Sequence, residues 1–101
     1  MDSNLIFHII EDLLLLTEKG ETCENRELTP IGSLTECLAN IEFIQTYYPS
    51  VDVISEVWES NFPKGCFVLT EGARGKGYFN IHDSGYSDSD SRALCIQGGR
   101  K

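Results

Sequence analysis

Basic residues are scarce in this chain: eight Lys and Arg stand against sixteen Asp and Glu among 101 residues, for a formal charge of −8. Nucleic acid and anionic lipid are bound by clustered Lys and Arg, so this shortage argues against either as the main partner. Long apolar runs are lacking too. A membrane-spanning helix needs about 20 apolar residues, and the stretch Leu5 to Leu16 is interrupted by His8, Glu11 and Asp12. The start, Met-Asp-Ser-Asn, has no basic region, and Thr17-Glu-Lys-Gly20 after the apolar run is no small-residue cleavage site, so a cleaved secretory signal is not expected. No two cysteines lie closer than 14 residues, whereas zinc sites draw on close pairs such as C-x2-C. The two histidines, His8 and His82, sit in no recognisable nucleophile context. No enzyme, metal or cofactor is expected.

What is present is a set of four isolated cysteines, Cys23, Cys37, Cys66 and Cys95. An even number in a short chain reads as two disulfides, with free buried thiols as the alternative. With 41% apolar residues the chain can build only a small core, and a bridge closing about 30 residues is worth about 3 kcal/mol in the chain-entropy model. Charge is also unevenly placed. Residues 1–60 hold twelve acids against Lys19 and Arg26, while residues 61–101 hold four acids against six bases. A basic docking surface or a neighbouring copy suits the acidic half.

Residues 1–20 read as an amphipathic helix, with apolar positions at helical spacing, Asp2 or Ser3 as N-cap and Gly20 as C-cap. Its wide apolar stripe suits either its own core or a partner, and Leu5, Ile6, Ile9, Ile10, Leu13 and Leu14 are the candidate docking residues. Residues 21–32 are polar and read as a linker. Residues 33–97 form the main module, followed by a tail at 98–101. Ser33-Leu-Thr-Glu36 is a capping box that opens a helix with Leu34, Cys37, Leu38, Ile41 and Ile44 on one face, ended by Tyr47-Tyr48-Pro49.

Beyond it the pattern turns to strands: Val51 to Trp58, Gly65 to Thr70, Gly77 to His82 and Arg92 to Gln97. The glycines of Glu71-Gly-Ala-Arg-Gly-Lys-Gly77 suit a hairpin turn, with Arg74 and Lys76 at its tip; the segment lacks the Ser or Thr of a P-loop. Asp83 to Ser91 is a polar loop that does not follow the EF-hand pattern. The expected fold is α+β, a capped helix packed on a small antiparallel sheet. Four cysteines permit three pairings, and spacing does not choose among them. The packing favours Cys37 with Cys66, pinning the helix to the first hairpin strand, and Cys23 with Cys95, tying the linker to the last strand.

Phe62-Pro-Lys-Gly-Cys-Phe67, Gly77-Tyr-Phe-Asn80 and Ala93-Leu-Cys-Ile96, with Ser33-Leu-Thr-Glu-Cys37 upstream, resemble a small four-cysteine module of algal and protist proteins and of large algal DNA viruses. The resemblance covers about Cys23 to Ile96 and implies a disulfide-stapled structural or recognition module without a settled activity. Such modules usually look secreted, and the start of this chain departs from that.

A virion component assembled in the cytosol, where a virus-encoded thiol oxidase forms disulfides without secretion, reconciles the two. The expected function is therefore non-enzymatic assembly, a minor capsid or other virion protein contacting other subunits in a symmetric array. The competing expectation is a secreted or cell-surface binding module for glycans, with Trp58, Tyr78 and Tyr86 as ligand contacts.

Overall fold

A computed structural model of the chain describes residues 14–82, 86 and 88–97. In chain order the elements are β1 (Leu14–Leu16), a 3-10 turn (Glu24–Arg26), β2 (Thr29–Pro30), α1 (Leu34–Ala39), α2 (Ile41–Tyr47), β3 (Ile54–Val57), β4 (Gly65–Glu71), β5 (Arg74–Asn80) and β6 (Ser91–Ile96). The architecture is α+β. Five strands run in the order β1-β6-β4-β5-β3, and β2 joins the same sheet through β6.

The centre of the sheet is a hairpin. β4 and β5 pair from Gly65↔Asn80 to Glu71↔Arg74, leaving Gly72 and Ala73 as a two-residue connection. Gly72 has φ +64, a positive value that such tight loops need and that costs other residues about 1–2 kcal/mol. β6 lies antiparallel to β4 at Phe67↔Ala93, Val68↔Arg92 and Leu69↔Ser91.

Period-two alternation then sorts the side chains onto two faces. Cys66, Val68, Phe79, Leu94 and Leu16 share the face on which the helices lie, and they join Cys37, Ile44, Tyr48 and Val51 in the main core. Phe67, Tyr78, Ala93 and Cys95 occupy the other face. There Cys23 and Leu28 pack on Ala93 and Cys95, and Phe62 packs on Phe67 with ring centroids 5.3 Å apart.

Two disulfides, Cys37–Cys66 and Cys23–Cys95, cross-link the chain. They act on opposite faces. Cys37 on α1 is held to β4 on the helix face, and Cys23 beside the 3-10 turn is held to β6 on the other. All four cysteines are 1% exposed or less, so each layer that covers the sheet is covalently fastened to it. None of the four cysteines is a free thiol.

Helix entry follows the capping expectation with one shift. The Glu36 N–H donates to Ser33 Oγ at 3.1 Å, but the Glu36 carboxylate accepts from the Gly32 N–H at 3.3 Å rather than from Ser33. The single expected helix is two helices. The Asn40 side chain donates to the Glu36 carbonyl at 2.8 Å, and with φ −110 and ψ 19 Asn40 closes α1 and precedes α2, because a short amide side chain competes with the backbone for its own carbonyls.

Four further expectations change. First, the sheet is mixed, since β3 runs parallel to β5 from Ile54↔Gly77 to Val57↔Asn80; the connection through residues 58–64 and β4 returns the chain in that sense. Second, the expected amino-terminal helix does not extend through Leu14, which lies in β1. Leu14–Leu16 pair with Ile96, Cys95 and Leu94, and a short continuous apolar run reads equally as a buried strand or a helix turn until a strand edge claims it. Leu5, Ile6, Ile9, Ile10 and Leu13 lie outside the described residues, as does the 98–101 tail. Third, residues 21–32 are part of the fold rather than a linker. Cys23 and Ile31 are buried, and Thr29–Pro30 pair with Ile96 and Cys95. Fourth, the hairpin turn is shorter than Glu71 to Gly77, so Arg74 and Lys76 stand on β5 rather than at the tip.

The sequence separations of the bridges are 72 and 29 residues. Loop-closure entropy therefore predicts that replacing Cys23 and Cys95 together costs roughly 4.4 kcal/mol and replacing Cys37 and Cys66 roughly 3.6 kcal/mol. Urea unfolding of the two double variants under non-reducing conditions checks both values, and the first variant should unfold at the lower midpoint.

Candidate functional site

The outer flank of β5 is only partly covered. β3 begins opposite Gly77, so Arg74, Gly75 and Lys76 extend past it, and residues 50–53 run alongside them. Ser50 secures that approach: its Oγ donates to the Gly75 carbonyl at 3.3 Å and accepts from the Gly75 N–H at 3.4 Å. Gly77 makes the approach possible, while Gly75 leaves room for Val68 and Tyr48 in the core. A Cβ on Gly77 would stand 2.5 Å from Ile54 Cδ1 and 2.9 Å from Val51 Cγ1, and one on Gly75 2.6 Å from Val68 Cγ1.

An open groove of about 270 Å³ results, and Ser50, Asp52, Ser55, Glu71, Arg74, Lys76 and Tyr78 contribute to its lining. Strand alternation puts Arg74, Lys76 and Tyr78 on one face of β5. Two carboxylates and two cations leave the lining with no net charge. None of Asp52, Glu71, Arg74 and Lys76 is in an ion pair or side-chain hydrogen bond among the described residues. A second groove of about 370 Å³ adjoins it, sharing Glu71, Lys76 and Tyr78 and bounded by Phe62, Asp88 and Asp90.

Tyr78 joins the two grooves. On one side its ring stacks on Phe67, 5.4 Å between centroids and 25° between planes. On the other side the register partner is Ser55, too short to cover a ring. Phe62, Phe67 and Tyr78 thus form a row of rings that ends in open space.

Behind the row, Asn80 holds the loop of residues 58–63. It is 1% exposed. Its Nδ2 donates to the carbonyls of Glu59 (2.7 Å), Pro63 (3.0 Å) and Phe62 (3.2 Å), and its Oδ1 accepts from the N–H groups of Glu59 (3.0 Å) and His82 (3.2 Å). A buried polar side chain with this many partners is a structural clamp.

Trp58, Tyr78 and Tyr86 are not brought together. Trp58 is 66% exposed and lies against the His82 ring at 4.5 Å, Tyr86 is 71% exposed in the polar loop, and of the three only Tyr78 lines the groove. In the same loop the Asp88 carboxylate accepts from the Asp90 N–H at 2.9 Å, which commits one of its oxygens to a turn. Among the described residues no group of three His, Cys, Asp or Glu side chains could hold a metal ion, and no helix is long and apolar enough to cross a membrane. No local pattern joins Asp52 and Ser55 to Glu71, because they come from two segments that meet only across β5. The alternation Arg74-Gly-Lys-Gly-Tyr78 was the available signal, since it places two cations and an aromatic on one strand face.

No protein-family model, curated protein or solved structure matches the chain.

Two substitutions probe how the site is held. Gly77→Ala should cost about 1–3 kcal/mol, because Ile54, Val51 and the Val53 backbone must all move; thermal unfolding measures it, with the open Gly72→Ala as a comparison governed by φ alone. Asn80→Asp removes the donor that serves three carbonyls and should cost about 1–3 kcal/mol. Amide exchange should quicken at 59–62 in that variant before it does in β4.

Proposed function

We propose that the protein is a non-enzymatic assembly component, a disulfide-stapled block that joins other protein subunits along the outer edge of β3. The observation that carries this reading is the condition of that edge. β3 ends the strand order and, among the described residues, has β5 as its one sheet neighbour. Immediately before and after it, Val53 and Trp58 are 64% and 66% exposed. Open strand edges template pairing with another chain, and proteins normally blunt or cover them.

Charge gives the partner its chemistry. Asp52, Glu56 and Glu59 line the chain around β3, so a second copy laid on this edge would oppose like charges, whereas an extended basic segment would find acids between apolar anchors. The two bridges make the block rigid, which suits a part that is placed rather than one that moves. The resemblance of the cysteine-bearing motifs to modules of large algal DNA viruses supports a virion, in a minor capsid position, as the setting.

One observation favours a second reading, a secreted or cell-surface glycan-binding module: the partly exposed Tyr78 ring shares a groove with Asp52, Ser55, Glu71, Arg74 and Lys76, none of which has a side-chain partner among the described residues.

Short peptides alternating Val or Ile with Lys or Arg are expected to bind the oxidised protein and slow amide exchange at residues 54–57. The same peptides should bind the Val53→Ser/Trp58→Ser variant, which removes the apolar anchors without changing charge, at least about tenfold more weakly, and rising salt should weaken binding to the native protein. Unchanged exchange at 54–57 in a protein that stays monomeric would refute the assembly reading.

A further inference from the structure

The geometry points to a binding slot for one ring of a neutral saccharide, between Tyr78 and Ser55. This deepens the glycan-binding reading and rests on it, because it names the place, the ligand class and the residue that keeps the slot open.

Three observations converge. The first is the row of rings Phe62, Phe67 and Tyr78, whose inner members are packed on each other and whose outer ring has a serine as its neighbour across the strand. The face of an aromatic ring is electron-rich, and the C–H-bearing face of a pyranose meets it well. A planar aromatic ligand would also stack, so stacking alone does not choose.

The second observation chooses. Asp52 and Glu71 offer acceptors, Arg74 and Lys76 offer donors, and Ser55 offers both; all border the same groove. None has a side-chain partner among the described residues. A ligand carrying several hydroxyls at the rim of one ring, each able to donate and accept, matches that mixture. A phosphate, sulfate or carboxylate would meet two carboxylates, and an amine would meet two cations. The balanced lining therefore selects against charged ligands of either sign.

The third observation is size and rigidity. At about 270 Å³ the groove falls just below the roughly 300–1,000 Å³ of ligand pockets, which suits one ring of a chain that continues into the adjoining groove past Lys76. Its walls are preset. Ser50 clasps Gly75, Gly77 admits Val51, Val53 and Ile54, and the Asn80 clamp holds the backbone of Phe62, so little ordering is left for the ligand to induce.

Ser55→Trp fills the slot from an exposed strand position without touching the core, while Tyr78→Ala removes the platform and Tyr78→Phe keeps it. The full-length oxidised chain and its variants are applied to an array of neutral, uronic-acid and sulfated oligosaccharides, with disulfide content and thermal unfolding recorded for each variant. The expected result is capture by neutral oligosaccharides, weakened about tenfold or more in Ser55→Trp and Tyr78→Ala and retained in Tyr78→Phe. Neutral binding that Ser55→Trp leaves unchanged overturns the slot while preserving glycan binding. Capture by uronic-acid or sulfated oligosaccharides alone overturns the neutral ligand class, and no capture at all overturns the glycan-binding reading together with the slot.

Discussion

Every layer of this protein is organised around β6, a strand with little unclaimed edge or face. Along one edge Leu94, Cys95 and Ile96 pair with β1. A strand has only two edges, so the other is shared, with β4 beside Ser91, Arg92 and Ala93 and with β2 beside Cys95 and Ile96. Ala93, Leu94 and Cys95 are wholly buried. Its contacts with β1 and β2 join segments about 65 to 80 residues apart in the chain, and nothing local could hold them. That is why the polar-looking stretch after Gly20 becomes structured: it is needed to finish β6.

Arg92 shows how far the dependence reaches. Its Nε donates to the Thr17 carbonyl at 2.6 Å and its Nη1 to the Tyr48 hydroxyl at 2.9 Å, with the guanidinium 5.8 and 5.9 Å from the centroids of the Tyr48 and Tyr47 rings. One side chain thus ties the end of β1 to the end of α2. Thr17, fully buried, continues the ladder through its hydroxyl, which accepts from the Ala93 N–H at 2.9 Å. A domain this small buries a limited fraction of its surface, and charge-assisted bonds of this kind, with a disulfide on each face, supply what the core lacks.

The same constraint shapes the candidate surfaces. β6 and β4 are closed in, whereas β3 ends the sheet opposite β1, and the part of β5 that β3 does not reach has no strand beside it among the described residues. Gly77 lets the chain approach β5 closely enough to form a groove, and Tyr78 beside it stays partly buried, stacked on the fully buried Phe67. Both surfaces follow from where a four-residue strand stops against a seven-residue one.

Local chemistry in the sequence determined the α+β class, the Ser33 cap, the end of the helix before Pro49, the approximate positions of β4, β5 and β6, and the inward direction of Cys37. Each depends on residues within a few positions of one another: a hydroxyl three residues before a glutamate, a residue preceding proline, alternation with period two. Tertiary structure alone decided the rest. Leu14–Leu16 form a strand because the edge of β6 is there to pair with them, Thr29–Pro30 join because the β4–β6 pairing starts only at Phe67 and leaves Cys95 and Ile96 open to them, and β3 is parallel because of the path the chain takes to β4. The groove needs Ser50, Ser55, Glu71 and Tyr78 to meet, and no pattern within one segment specifies partners that only the sheet register brings together.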